Sequence, residues 1–243
     1  MKRLIKKLTP SGVYQPILTK WRQRRIRFGP LHRLEPVSRL FGLDRGQPID
    51  RCYIDNFLQS HVDDICGRVL EVGDSGYTYK FGGDRVSRSD VLHVTSDNSR
   101  ANLVGNLATG ENIPRDAFNC LILTQVFNVI YDVKAAVSNS YQALKPGGVL
   151  LATLPGISQI SRYDMDRWGD YWRFTSLSAR RLFEEFFLPA NVSVLAYGNV
   201  LTALAFLHGL AAEELKKEEL NHRDPDYEVL VAVRAVKMFE VGK

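Results

Sequence analysis

Cysteine is scarce. Cys52, Cys66 and Cys120 are the three in 243 residues, with no close pair and no histidine at metal-ligand spacing. That excludes a disulfide framework and a zinc site, and it suits a reducing compartment. Residues 1–8 carry basic side chains without the apolar run a signal peptide needs, so a cytoplasmic location is expected. No long apolar run is uninterrupted. The most apolar stretch, residues 194–212, is broken by Tyr197, Asn199 and His208 and predicts a strand turning into a buried helix, not a membrane span. No G-x-G-x-x-G follows the first predicted strand, which argues against a nicotinamide-dependent enzyme. Internal repeats and low-complexity segments are absent.

Acidic residues are missing from the first 34 positions. Ten Lys or Arg lie between Lys2 and Arg33 before Glu35 appears, so the remainder holds 22 basic and 27 acidic residues, a net of −5 against +5 for the whole chain. A basic arm, residues 1–45, therefore precedes a mildly acidic body, residues 46–243. Such an arm suits a peripheral contact with an anionic surface, or a solvated tail; no nucleic-acid partner is expected of the whole. Tyr14, Trp21 and Phe28 interleave with the charges and favour contact. Pro10, Pro16, Pro30 and Pro36 permit only short helices between them.

The body alternates. Ile54, Phe57, Leu58, Val62 and Ile65 recur at helical spacing over residues 53–65. Strands are predicted at 68–72, 85–94, more weakly 101–107, 121–124, 149–154, 192–197 and 228–236. A helix over 131–144 closes on Lys145-Pro146-Gly147-Gly148. Another starts after Thr175 or Ser176, with Leu182, Phe183, Phe186 and Phe187 on its apolar face and Arg180–Glu184 and Arg181–Glu185 paired outside. A further helix is expected from about 200 to 219. Strand–helix alternation predicts a mostly parallel sheet covered on both faces, with any ligand at the carboxyl ends of the strands.

Two segments carry chemistry. Arg68-Val-Leu-Glu-Val-Gly-Asp-Ser-Gly76 is a buried strand ending in an acidic residue and a glycine turn, through which a backbone can approach a nucleotide-like ligand. Ala143-Leu-Lys-Pro-Gly-Gly-Val-Leu-Leu-Ala-Thr-Leu-Pro155 is a helix end, a turn and a second buried strand. Their order and spacing resemble the class I S-adenosylmethionine (SAM)-dependent methyltransferases over residues 53–236. That resemblance implies a Rossmann-like α/β fold: a seven-stranded, mostly parallel sheet with an antiparallel last strand and helices on both faces. It also implies SAM as cofactor. Glu71, Gly73, Asp74 and Gly76 would form the first motif, and Asp90, nineteen residues after Glu71, would accept both ribose hydroxyls. Asn106 and Leu107 would lie by the adenine, with Thr124 and Gln125 at the methyl-transfer point. From the residues alone, Glu71 could instead cap a helix and Asp90 could sit in a turn. The pattern departs from the family: the alternating register reads Gly73, Ser75, Tyr77, Asn119 replaces the usual Asp, and no His follows the fourth strand.

The stretch Ser161-Arg-Tyr-Asp-Met-Asp-Arg-Trp-Gly-Asp-Tyr-Trp-Arg-Phe-Thr175 resembles a signature of methyltransferases associated with bacterial polysaccharide and glycosyltransferase systems. Trp168, Tyr171 and Arg173 would bind a glycan or small-molecule acceptor, since rings stack on C–H faces and charged groups bond hydroxyls. Asp164, Asp166 and Asp170 are the available general bases, and none has a spacing that singles it out. Equally, the aromatic residues could plug the sheet edge while Arg173 pairs with Asp170. The expected activity is O-methylation of a saccharide, with a glycosyltransferase as partner. The competing expectation is a catalytically silent module of the same fold in a glycan-assembly complex.

Overall fold

The computed structural model describes residues 29–239. The basic residues from Lys2 to Arg27, with Tyr14, Trp21 and Phe28, lie outside the described residues. The chain divides after Pro36, and the described residues from Val37 onward form the larger unit.

The larger unit is built on one sheet. Its strands are β1 (Gly67–Val72), β2 (Val86–His93), β3 (Leu103–Val104), β4 (Phe118–Thr124), β5 (Leu144–Pro155), β6 (Val192–Tyr197) and β7 (Leu230–Val236). They lie in the order β3-β2-β1-β4-β5-β7-β6. The β1–β2, β1–β4, β2–β3 and β4–β5 pairs are parallel, whereas β7 runs antiparallel between β5 and β6. Six parallel strands and an antiparallel last strand are what the Rossmann-like expectation required.

Alternation along each strand explains why both faces are covered. Leu121 and Leu123 of β4, Leu150 and Ala152 of β5 and Val231 and Val233 of β7 point into one core. Cys120 and Ile122, Val149 and Leu151, and Leu230 and Ala232 point into the other. Helices α2 (Val133–Ala143) and α4 (Ser176–Glu184) cover the first face through Val137, Phe183 and their neighbours. Helices α1 (Ile49–Gln59) and α5 (Val200–Leu207) cover the second through Phe57 and Phe206. Two short helices, α3 (Arg162–Met165) and α6 (Lys217–Asn221), lie in connections.

Several boundaries differ from the sequence reading for local reasons. The first helix begins at Ile49, directly after Pro48, and ends at Gln59; residues 62–64 form only a 3₁₀ turn. The helix expected to reach residue 219 stops at Leu207, because Gly209 adopts φ +69°. The third strand shrinks to two residues. Arg180 pairs with Glu184 at 3.5 Å, but Glu185 is taken by Lys134 at 2.6 Å instead of Arg181. Thr175 caps α4, accepting from the Ser178 amide while Ser178 reaches back to the Thr175 N–H. No helix among the described residues is long and apolar enough to cross a membrane.

Strand order reverses between β1 and β4, and their carboxyl ends open the crevice that such sheets use for ligands. The β1–β2 connection holds only a π turn (Thr78–Gly82) and a 3₁₀ turn (Gly83–Arg85). This leaves no long helix behind the glycine turn.

Candidate functional site

The carboxyl edge of the sheet carries two neighbouring regions. At the first, β1 ends and Gly73 turns the chain with φ +86°. A Cβ built on Gly73 would meet nothing within 4 Å, so the turn faces open space that a bound group could enter. The Gly73 amide donates to Leu92 O at 3.0 Å, which sets His93, the last residue of β2, beside this turn.

Glu71 itself is turned inward. Its carboxylate accepts from the Tyr77 amide (3.2 Å), the Thr78 amide (2.8 Å) and the Thr78 hydroxyl (2.8 Å). It thus ties the glycine turn into the short connection behind it, the capping role that the residues alone left open. Burial pushes the carboxyl up to about 6, against the pull of the Thr78 and Tyr77 bonds. Asp74 is exposed, accepts from the Gly76 amide at 2.9 Å and lies 3.6 Å from Arg100. Asn98 donates to Gly73 O at 2.7 Å, drawing the loop after β2 toward the turn.

Asp90 requires a correction. It lies inside β2, opposite Leu70 and three residues short of the strand's end, not at the carboxyl edge. Arg68 donates to it at 2.6 Å, Arg88 at 3.0 Å and Asn102 at 3.3 Å. Burial alone would raise its carboxyl, but the two guanidiniums outweigh burial and hold it below the ordinary value. Both oxygens are engaged by the chain, and the residue is 2% exposed, which places Asp90 in a buried ion-pair network within the strand. His93 occupies the end of β2 instead, and sequence reasoning missed it. Its Nδ1 lies 3.0 Å from both Thr95 O and Thr95 Oγ1, and its ring meets Trp168 edge-on at 5.5 Å and 85°.

Asn106 follows β3 and closes a turn, accepting from the Ala108 amide at 2.8 Å and donating its own amide to Glu111 O. Leu107 points into the core at 4% exposure, leaving its backbone as the part available to a ligand. Thr124 ends β4, and Gln125 follows with φ +56° while its amide bonds Thr153 O at 2.9 Å. A left-handed glutamine at the sheet edge is an uncommon, strained placement of the kind held at functional positions.

The second region is a cleft of about 110 Å³, open to solvent, beyond the ends of β4 and β5. Asp50 and Arg51 from the start of α1, Gln125, Asn128, and Asp164, Asp170 and Arg173 from the long connection after β5 line it, with Phe41 and Phe206 as apolar wall. Asp170 and Arg173 form a bidentate pair at 2.6 and 2.7 Å, and Asp170 also accepts from the Ser161 amide and Asn128. Burial opposes ionisation here too, yet these donors hold the Asp170 carboxyl below its usual range. Asp170 therefore pins its segment and has no free lone pair suited to proton transfer. Asp166 is exposed and does not line the cleft, whereas Asp164 does.

Asp50, half-buried, is the carboxylate that the sequence did not single out. It accepts from the Arg51 amide at 2.8 Å, and burial pushes its carboxyl up. Asn128 is fixed in orientation by donating to Asp170, and its buried Oδ1 has no partner among the described residues. Of the aromatic residues in the segment, Phe174 alone is sealed in the core, at 8% exposure. Tyr171 and Trp172 gather with Tyr131 on the surface, at ring distances of 5.4 and 5.9 Å. Trp168 goes elsewhere, to His93. No cluster of metal-ligating side chains occurs among the described residues.

No family model matches the chain, and no curated protein matches it. Solved structures do. The N-methyltransferase NodS from Bradyrhizobium japonicum, in complex with S-adenosylhomocysteine (SAH), is 13% identical with a TM-score of 0.50, over 83% of this chain and 94% of that one. A SAM-dependent methyltransferase from Archaeoglobus fulgidus is 13% identical with a TM-score of 0.48, over 77% and 90%. Phosphoethanolamine N-methyltransferase 2 from Haemonchus contortus, in complex with SAM, is 14% identical with a TM-score of 0.49, over 81% and 59%. Strand order, the antiparallel last strand and the likeness to NodS agree that the chain has the fold of the class I methyltransferases.

Proposed function

We propose that this chain transfers a methyl group from SAM to a saccharide hydroxyl. The observation that carries the reading is the pairing, on one sheet edge, of the open turn at Gly73 with a polar cleft whose unmatched groups are hydrogen-bond acceptors. The open side of Gly73 fits a cofactor whose backbone-like portion passes close to the turn. Gly73, Asp74 and Gly76 would hold its amino-acid part, Asn106 and the Leu107 backbone its base, and Thr124 and Gln125 its reactive end. When bound, SAM supplies an electrophilic methyl group.

The chain's own residues supply the rest. Asp50, Asp164 and the Asn128 carbonyl favour a ligand that presents donors, as sugar hydroxyls do. The raised carboxyl of Asp50 makes it better matched than Asp170 to take a hydroxyl proton near neutral pH. Arg173, with Asp170, shapes the cleft wall. Phe41 and Phe206 exclude water from one side, and alignment plus desolvation supply most of the acceleration such a displacement needs. A glycosyltransferase of a glycan-assembly system would be the partner, and the basic arm would hold the pair near an anionic surface.

The test is transfer of labelled methyl from SAM to a panel of methyl glycosides. Label should appear on at least one glycoside and fall roughly a hundredfold or more in Asp50→Asn, the lower range for a lost general base. Label on no glycoside, with SAH still bound, would discard the saccharide. A second reading, a catalytically silent module of this fold, is favoured by one feature. Asn98 and Arg100 already engage the Gly73 turn and Asp74, where a cofactor would sit.

A further inference from the structure

The segment after β5 reaches two places at once. Ser161, Asp164, Asp170 and Arg173 line the acceptor cleft beyond β4 and β5, while Trp168 crosses to the end of β2 and packs on His93. In sheet order these sites are separated by β1. Between them lies the open side of Gly73. The Asp164 carbonyl gathers the amides of Trp168 (2.7 Å) and Gly169 (2.9 Å), and Asp170 accepts from the Ser161 amide at 3.0 Å. Trp168 is thus joined, through a tight local turn, to the residues of the cleft wall.

We propose that Trp168 belongs to the nucleoside side of the site and not to the acceptor side. With His93 it walls the hollow next to Gly73, and the 161–175 segment closes over an adenosine bound there. The inference rests on the SAM reading above and deepens it. A T-shaped contact with His93 covers at most one face of the indole and leaves the other for a purine or ribose to pack on. The imidazole has Nδ1 engaged with Thr95, so Nε2 is the nitrogen left to meet a hydroxyl, which both donates and accepts. Occupying the hollow then fixes Trp168, and through the turn at Asp164 it fixes the cleft wall. Cofactor would bind first and order the acceptor site.

The experiment is titration of the full chain with SAH, followed by tryptophan fluorescence and by calorimetry. Trp21→Phe and Trp172→Phe variants serve as controls for the other two indoles. SAH should change the emission of the wild type and of both controls, and the change should disappear in Trp168→Phe. Trp168→Ala and His93→Ala should each weaken SAH roughly tenfold, the scale of one lost base–aromatic stack. Trp168→Phe, which keeps a ring and guards against misfolding, should weaken it less. SAH binding with wild-type affinity in both Trp168→Ala and His93→Ala, or an unaltered emission change in Trp168→Phe, would overturn this inference while leaving SAM binding intact. Absence of SAH binding by the wild type would remove both.

Discussion

The two halves of the carboxyl edge treat their polar groups in opposite ways. Along β1 and β2 the chain satisfies itself: Glu71 is filled by Tyr77 and Thr78, Asp90 by two arginines, and Gly73 O by Asn98. Beyond β4 and β5 it does not. Asp50 and Asp164 face a cleft, and Asn128 keeps an unmet oxygen. The first half is held rigid by its own hydrogen bonds and offers a ligand chiefly backbone and an open glycine. The second half retains side chains that need a partner, and leaving buried polar atoms unmet costs about 1–3 kcal/mol each. Under the proposed function, binding of a shared nucleoside and choice of a particular acceptor would be divided between these two groups of residues.

The largest effect expected from breaking this division is at the pinned wall of the cleft. Arg173→Ala leaves Asp170, whose side chain is 1% exposed, without its cation and should cost about 3 kcal/mol in urea unfolding. Because the folded-state carboxyl of Asp170 is depressed, the pair's contribution is present above the unfolded value and fades as pH falls below about 4. The mutant and wild-type stabilities should converge there.

Asp90→Ala should cost about 2 kcal/mol, for the same reason, in the other half. It should leave SAH affinity unchanged, since Asp90 serves Arg68 and Arg88. A loss of SAH binding in a folded Asp90→Ala protein would return Asp90 to the cofactor site.

Glu71 shifts the opposite way. Its carboxyl rises from 4.5 to about 6 on folding, so the folded state binds the proton more tightly and stability falls as pH climbs through that interval. The drop is about 2 kcal/mol by the unit conversion. Glu71→Gln should flatten this part of the pH–stability curve, and an unchanged curve would show that the bonds from Thr78 and Tyr77 fully offset burial.

Much of this arrangement is legible in the sequence because it is local. The strand-then-glycine pattern at Arg68–Gly76, the Thr175 cap and the strand at Val192–Tyr197 depend on neighbours a few residues away. The sequence predicts that the strand past Asp90 runs to residue 94; what it hides is the partner of Asp90, because nothing nearby announces that Arg68 will reach across from β1. His93 and Asp50 went unseen for a related reason. Each gains meaning from residues far along the chain, Trp168 for the one and Gln125 and Asn128 for the other. The short β1–β2 connection likewise follows from how Glu71 gathers the Tyr77 and Thr78 amides, which no periodicity signals.

The smallest effect on stability carries the most information. Gly73→Ala places a Cβ in open space at a positive φ, so folding should lose only about 1–2 kcal/mol. Calorimetric titration of SAH into wild-type and Gly73→Ala protein then tests directly whether that space receives a nucleoside cofactor. The account predicts one SAH per wild-type chain and an affinity at least tenfold weaker in the variant, the factor that about 1.4 kcal/mol represents. Folded wild-type protein that gives no heat with SAH, or equal binding by both proteins, would contradict it.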